Sequence, residues 1–304
     1  MNDDNIQYKI QPILKQLHIA SPILLGKGGE GLVYEYGNDA IKIYPHILDI
    51  QYLKSIQNFQ HTLSKYKFSF DVPQVYEVDQ INGVLYTIEK RLKGIQMDQK
   101  IINLNTTDRQ KVYKNYYDAI RQIHAITFPT LPYGNIIKTT QSINSDSWTD
   151  YLIKVLIQKT TKTHSSMAHR ISNYDQKIET MKLLIKKYLL SNQKCLIHCD
   201  YFLNNVLVND SLDISAILDF SQHSAVGDPK LDIASVLTWN EIDPNVKQED
   251  YIFLYDVAKK DYGDEIITYA DLYLLFSSFY FADMEDPNFS MKHLNDNKLW
   301  SKYS

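Results

Sequence analysis

Apolar residues recur three and four apart near the N-terminus, where Ile6, Ile10, Ile13, Leu14 and Leu17 predict one helix. The texture then changes to short apolar runs broken by turn residues. Ile23-Leu24-Leu25 enters a glycine cluster and Leu32 to Tyr36 leaves it. After the turn Gly37-Asn38-Asp39 comes the run Ala40 to Tyr44. A helix is expected over 47–63, then two strands over 72–78 and 84–88 around Asn82-Gly83. Residues 20–88 thus predict a small antiparallel sheet with one helix. Beyond Gly94 long helical periods dominate, over 108–126, 148–159, 178–190, 231–239, 251–260 and 266–281. Pro129 is read as stopping the first of these. The expected class is α+β, with a small antiparallel-sheet lobe (1–93), a hinge over 89–94 and a larger helical lobe (94–304).

Composition sharpens this in two places. The chain has ten glycines in 304 residues, and four of them, Gly26, Gly28, Gly29 and Gly31, fall within six positions. Glycine lets backbone approach a ligand closely, so the cluster is a candidate site. The net charge of −4 hides an asymmetry: residues 1–93 balance, 94–199 carry +8 and 200–304 carry −12. An acidic final third suggests a field that attracts a cationic substrate. No basic run with interleaved aromatics appears, so no nucleic-acid partner is expected. No run of 18 apolar residues exists and the start, Met1 to Asn5, is not a signal peptide, so no membrane span is expected. Two cysteines, Cys195 and Cys199, exclude a disulfide framework and fit a reducing cytoplasm. Their C-x3-C spacing is not a usual zinc spacing, and both are read as buried thiols.

Three clusters carry chemistry. Gly26-Lys27-Gly28-Gly29-Glu30-Gly31-Leu32-Val33 reads G-x-G-x-x-G-x-V. A dinucleotide fingerprint needs a helix after its glycines. Here Val33, Tyr34 and Tyr36 continue as a strand, so the glycines predict a flap whose N–H groups lie over triphosphate oxygens. Lys42, a lone lysine in an apolar strand, is placed beneath that flap toward the α- and β-phosphates. His198-Cys199-Asp200 with Asn205 reads H-x-D-x-x-x-x-N, and Asp219 ends a strand 14 residues further on. Asp200 is the candidate to orient an attacking hydroxyl. Asn205 and Asp219 offer the oxygen ligands that Mg²⁺ prefers. His198 is read as structural, holding the loop through backbone carbonyls.

Together these residues resemble the protein-kinase-like set. Leu218-Asp219-Phe220, followed by Gly227-Asp228-Pro229-Lys230-Leu231-Asp232-Ile233-Ala234, resembles the aminoglycoside phosphotransferase and choline kinase family. Leu131-Pro132-Tyr133-Gly134, Trp148 and Tyr151-Leu152 are loosely similar to its hygromycin-type members. The resemblance spans about residues 20–240. It implies a bilobal protein-kinase-like fold and an Mg²⁺-dependent small-molecule O-phosphotransferase using ATP or GTP. It places the nucleotide base against the hinge backbone from Glu89 to Leu92. A monomer is expected.

Two features depart from the pattern. Protein kinases pair the strand lysine with a glutamate on the following helix, but no Glu lies between Glu35 and Glu77. Asp49 is the only acid near that helix, leaving it or no partner at all for Lys42. Ser221 stands where protein kinases have glycine. For the acceptor, an aminoglycoside-type antibiotic is the leading expectation, with Glu241, Asp243, Asp283 and Glu285 as candidate cation contacts. Tyr269, Tyr273 and Tyr280 keep a choline-like acceptor open, since aromatic rings cage quaternary ammonium groups. A choline- or homoserine-kinase type of metabolite kinase, a protein kinase and a nucleotide-binding pseudokinase remain alternatives.

Overall fold

A computed structural model describes residues 3–47, 49–284 and 286–303. Helix α1 (Asp3–Gln16) precedes strands β1 (Leu24–Lys27), β2 (Leu32–Tyr36) and β3 (Asp39–Tyr44), helix α2 (Ile50–Leu63), and strands β4 (Val75–Ile81) and β5 (Val84–Glu89). The five strands form one antiparallel sheet in the order β1-β2-β3-β5-β4. Alternation along β3 splits its residues between two cores. Ile41 and Ile43 join Leu32, Tyr34 and Tyr86 under Ile10, Ile13 and Leu14 of α1. Tyr44, with Leu85 of β5, joins the larger core on the other face, where Leu53, Ile56, Phe59 and Leu63 of α2 pack. The register places Val33, Lys42, Thr87 and Val78 side by side across that second face. Strand β4 starts at Val75, later than expected, because Pro73 has no N–H to give a ladder.

Strand β6 (Ile95–Gln96) leaves this sheet and pairs with Leu207 and Val208 further along the chain. The remainder is mostly helical: α3 (Met97–Lys100), α4 (Thr106–His124), strands β7 (Tyr133–Asn135) and β8 (Asn144–Ser145), α5 (Trp148–Met167) and α6 (Tyr174–Tyr188). Strands β9 (Cys195–Ile197), β10 (Val206–Val208), β11 (Ile214–Ile217) and β12 (Ala225–Gly227) follow, then α7 (Lys230–Thr238), α8 (Gln248–Tyr262), α9 (Glu265–Tyr280), α10 (Asn288–Leu294) and α11 (Asn297–Ser301). Helix α5 runs eight residues past its expected end. Thr160 and Thr163 are buried there, and their hydroxyls donate to the carbonyls of Leu156 and Lys159 one turn back. Strands β8-β7-β12-β9 form a small sheet that periodicity did not suggest, since two- and three-residue strands are too short to show alternation. No helix among the described residues is long and apolar enough to cross a membrane.

The sheet layer and the helical body share one core. Phe59 of α2 meets Phe220 edge to face at 6.5 Å, and Phe220 meets His198 at 4.9 Å. At the connection, Gly94 has φ +140°, and a Cβ there would lie 2.4 Å from Ser215 Oγ. The chain therefore passes against the β10–β11 hairpin where only glycine fits.

Candidate active site

The loop from β9 to β10 carries His198, Asp200 and Asn205, and it is pinned from beneath. Asp232, in the first turn of α7, is fully buried. Its carboxylate accepts the backbone N–H of His198 at 2.7 Å and of Cys199 at 2.9 Å, and lies 3.0 Å from His124 Nε2 at the end of α4. Tyr201 stacks on Tyr116 of α4 at 4.4 Å, and each hydroxyl donates to the other residue's carbonyl. Cys199 takes φ +61°, a left-handed conformation that costs a non-glycine residue about 1 kcal/mol and is held by these clamps. His198 Nε2 donates to the Leu218 carbonyl at 2.8 Å, and its Nδ1 accepts the Asp200 N–H at 3.2 Å. The histidine thus ties the loop to the strand end that precedes Asp219.

Asn205 Nδ2 donates to both the backbone oxygen and Oδ2 of Asp200, at 2.8 and 2.9 Å. An amide nitrogen between two acceptors fixes which way the group points, so Oδ1 is turned away from Asp200. On the paired strand, Leu218 N–H donates to the Asn205 carbonyl at 2.8 Å, one step beyond the register Val206↔Ile217. That places Asp219 beside Asn205. Asp219 itself has φ +55°. A carboxylate and an amide oxygen at one hairpin edge are a donor set that fits a hard divalent cation completed by phosphate and water oxygens. Burial, with the Asp219 charge adding to it, pushes the Asp200 carboxyl above the usual carboxylate range against the pull of His198, His223 and the Asn205 amide.

Lys42 lies across from this edge, next to Val33 of β2 and Thr87 of β5. Burial alone would lower its ammonium, but Tyr44, Glu30, Glu89 and Asp219 outweigh that and hold it well above the ordinary lysine range. Its direct partner is Glu30 of the glycine flap, at 3.2 Å, and the Tyr52 hydroxyl of α2 donates to the other Glu30 oxygen at 2.8 Å. The sequence left Asp49, or no partner at all, for this lysine. The structure corrects this: Asp49 caps α2, accepting the Gln51 N–H at 2.9 Å, and the partner comes from the flap.

Among the flap glycines, only Gly31 is sterically required. A Cβ there would sit 2.2 Å from the Ile43 carbonyl, whereas Gly26, Gly28 and Gly29 have open space. Glu89 ends β5, and burial pushes its carboxyl up while nearby Lys42 and the Thr87 hydroxyl pull the other way. The segment holding Leu92 is fixed by its neighbours: Lys90 N–H donates to Gln74, Arg91 pairs with Glu35 at 3.0 Å, and Ser215 donates to the Lys93 carbonyl.

The acidic candidates of the final third are mostly engaged. Glu241 pairs with Lys292 at 2.8 Å and with His293, contacts that hold its carboxyl low despite burial. Asp283 takes Lys159 and Lys162, at 3.1 and 2.8 Å, with the same result. Asp243 accepts the Asn245 N–H in a turn. Glu285 lies outside the described residues. The tyrosines hold the chain's own groups: Lys230 sits over Tyr269, Lys159 over Tyr280, and buried Tyr273 bridges Trp148 and Asp228. Near Asp200, His223 Nδ1 meets the Tyr280 hydroxyl at 3.0 Å. Phe202, Trp239 and Phe281 pack into an aromatic wall two residues from Asp200.

Motif spacing missed Glu30, Tyr52 and His223. Glu30 had one available signal: it is the one acid inside the glycine cluster, in a chain whose following helix has none. Asp232 was visible only as part of a resemblance, although its hydrogen bonds build the loop.

Known proteins place this arrangement. No curated relative matches the chain in sequence. Its fold is that of APH(2")-IIa, solved in a ternary complex with streptomycin and ATP, at TM-score 0.62, 16% identity, and 99% and 97% coverage of the two chains. A putative fructosamine-3-kinase from Haemophilus somnus 129PT aligns at TM-score 0.65 and 15% identity over 96% and 99%. The type I macrolide 2'-phosphotransferase aligns at 0.59 and 12% over 100% and 97%. Residues 33–262 match the phosphotransferase enzyme family, and with the loop, hairpin edge and strand lysine described above, the chain belongs to that family.

Proposed function

We propose that the chain transfers the γ-phosphoryl group of ATP or GTP to a hydroxyl of a small molecule. The observation that carries this reading is the geometry of one loop and hairpin: Asn205 Nδ2 donates to Asp200 Oδ2 at 2.9 Å and Leu218 N–H donates to the Asn205 carbonyl at 2.8 Å, which gathers Asp200, Asn205 and Asp219 at one edge. Metal edge and acceptor base therefore share one site. The flap glycines Gly26 to Gly31, with Val33, cover the triphosphate and Lys42 holds its α- and β-phosphates. The base rests against the backbone of Glu89 to Leu92. Asn205 Oδ1 and Asp219 are the residues that would hold Mg²⁺, which when bound neutralises charge on the bridging phosphates. Asp200 accepts a hydrogen bond from the acceptor hydroxyl and aims its oxygen in line with the γ-phosphorus. This transfer needs positioning and charge neutralisation more than a strong base.

For the acceptor, an aminoglycoside-type antibiotic is supported by the −12 charge of the last 105 residues and by the streptomycin complex of the APH(2")-IIa neighbour. A second reading, an acceptor with an apolar ring face, is favoured by the aromatic wall of Phe202, Trp239 and Phe281 and by the prior engagement of Glu241 and Asp283. The test is a drug-susceptibility panel spanning aminoglycosides and macrolides, in cells making the wild type or Asp200→Ala. It is backed by purified-enzyme assays that add choline, ethanolamine and homoserine. Asp200→Ala should lower kcat by about 10³ and leave nucleotide affinity nearly intact. Substantial turnover by this variant would overturn the assignment.

A further inference from the structure

The α2 helix, Ile50 to Leu63, contains no Asp or Glu, and Asp49 is spent on its cap. Yet Lys42 is paired. Its carboxylate partner, Glu30, stands at the tip of the glycine flap, between Gly29 and Gly31. Three contacts fix this placement. Gly31 presses its backbone against the Ile43 carbonyl, which brings the preceding residue over β3. Glu30 Oε2 meets Lys42 Nζ at 3.2 Å, and Tyr52, from the first turn of α2, donates to Glu30 Oε1 at 2.8 Å. The carboxylate is thus drawn toward the helix, with one oxygen for each partner.

An ammonium has three donors, and Glu30 takes one, leaving two for phosphate oxygens. Two other acids act on Lys42: Asp219, the candidate metal ligand, and Glu89, which burial pushes toward its neutral form and makes the poorer counter-charge. We propose that Glu30 is the positioning residue for Lys42 in this phosphotransferase, with Tyr52 as its anchor on α2. Lowering the flap and aiming the lysine are then one event. This inference rests on the phosphoryl-transfer reading above.

The full-length chain tests it without knowledge of the acceptor, through hydrolysis of MgATP or MgGTP in water and nucleotide binding by calorimetry. Glu30→Gln should lower kcat about tenfold while the dissociation constant shifts less than about threefold. Tyr52→Phe should move kcat in the same direction by less, and Glu30→Asp should restore part of the loss. In a Lys42→Ala background Glu30→Gln should have no further effect, because the two residues act as one unit. Additive losses there would overturn the proposal. So would an unchanged kcat with tighter nucleotide binding, which would mean that Glu30 competes with phosphate for the lysine. If Lys42→Ala impairs the enzyme and Glu30→Gln does not, the inference alone falls. If the wild type binds no nucleotide, the phosphotransferase reading falls and takes the inference with it.

Discussion

Asp200 and Lys42 belong to one site but are held in opposite ways. The loop of Asp200 is held through its backbone: Asp232 grips two consecutive N–H groups, and the Tyr116–Tyr201 pair exchanges hydrogen bonds with main-chain carbonyls. Lys42 stands on a strand paired on both sides, but its ammonium is held by a side chain of the flap, Glu30, which Tyr52 of α2 anchors in turn. Buried backbone clamps keep their geometry whether or not a ligand is present, because releasing them strands polar groups away from water. Ion pairs at partly exposed side chains re-form at little cost. The half of the site proposed to orient an acceptor is therefore built in advance, and the half proposed to grip phosphate is adjustable.

The sharpest way to break this contrast is Asp232→Ala. It leaves the His198 and Cys199 N–H groups and His124 without their buried acceptor, and should cost about 3–5 kcal/mol in urea unfolding. A loss below about 1 kcal/mol would mean that the loop is not held from beneath. Next comes Gly31→Ala, whose methyl meets the Ile43 carbonyl and lifts the flap tip. Its nucleotide KM should rise about tenfold, while Gly28→Ala and Gly29→Ala stay within about twofold. Equal effects at all three would deny Gly31 its special contact.

Glu89→Gln probes the adjustable half through pH. Burial raises the Glu89 carboxyl in the folded chain, so the native state binds its proton more tightly than the unfolded one. Stability from this group is present below the ordinary glutamate range and lost as pH rises through the raised value. The variant should accordingly melt higher than wild type at neutral pH without nucleotide, with the gap closing as pH falls toward 4. A gap that widens on acidification would reverse the sign. Smallest is Lys162→Ala: it removes an exposed partner from Asp283, which keeps Lys159, and should change stability by less than about 0.5 kcal/mol.

Much of the fold was legible because strands β2, β3 and β5 are short apolar runs set off by turns, α4 carries a helical apolar period and α9 a long apolar stretch. The spacing of Asp200, Asn205 and Asp219 was legible because one hairpin, β10–β11, sets it locally. What escaped depends on contacts between distant segments. Glu30 lies 22 residues from Tyr52, and Asp232 33 residues from Cys199. The acidic tail misled in a related way: a charge count registers Glu241 and Asp283 but not the lysines that fold against them.

The pairing of Lys42 with Glu30 also bears on how such a protein could be inhibited. A compound wedged beneath the flap tip would prise Glu30 from Lys42 without touching the nucleotide-base pocket. It would act at a position that the glycine pattern leaves open to any residue, and the handle it would exploit is written into this chain by a single flap residue.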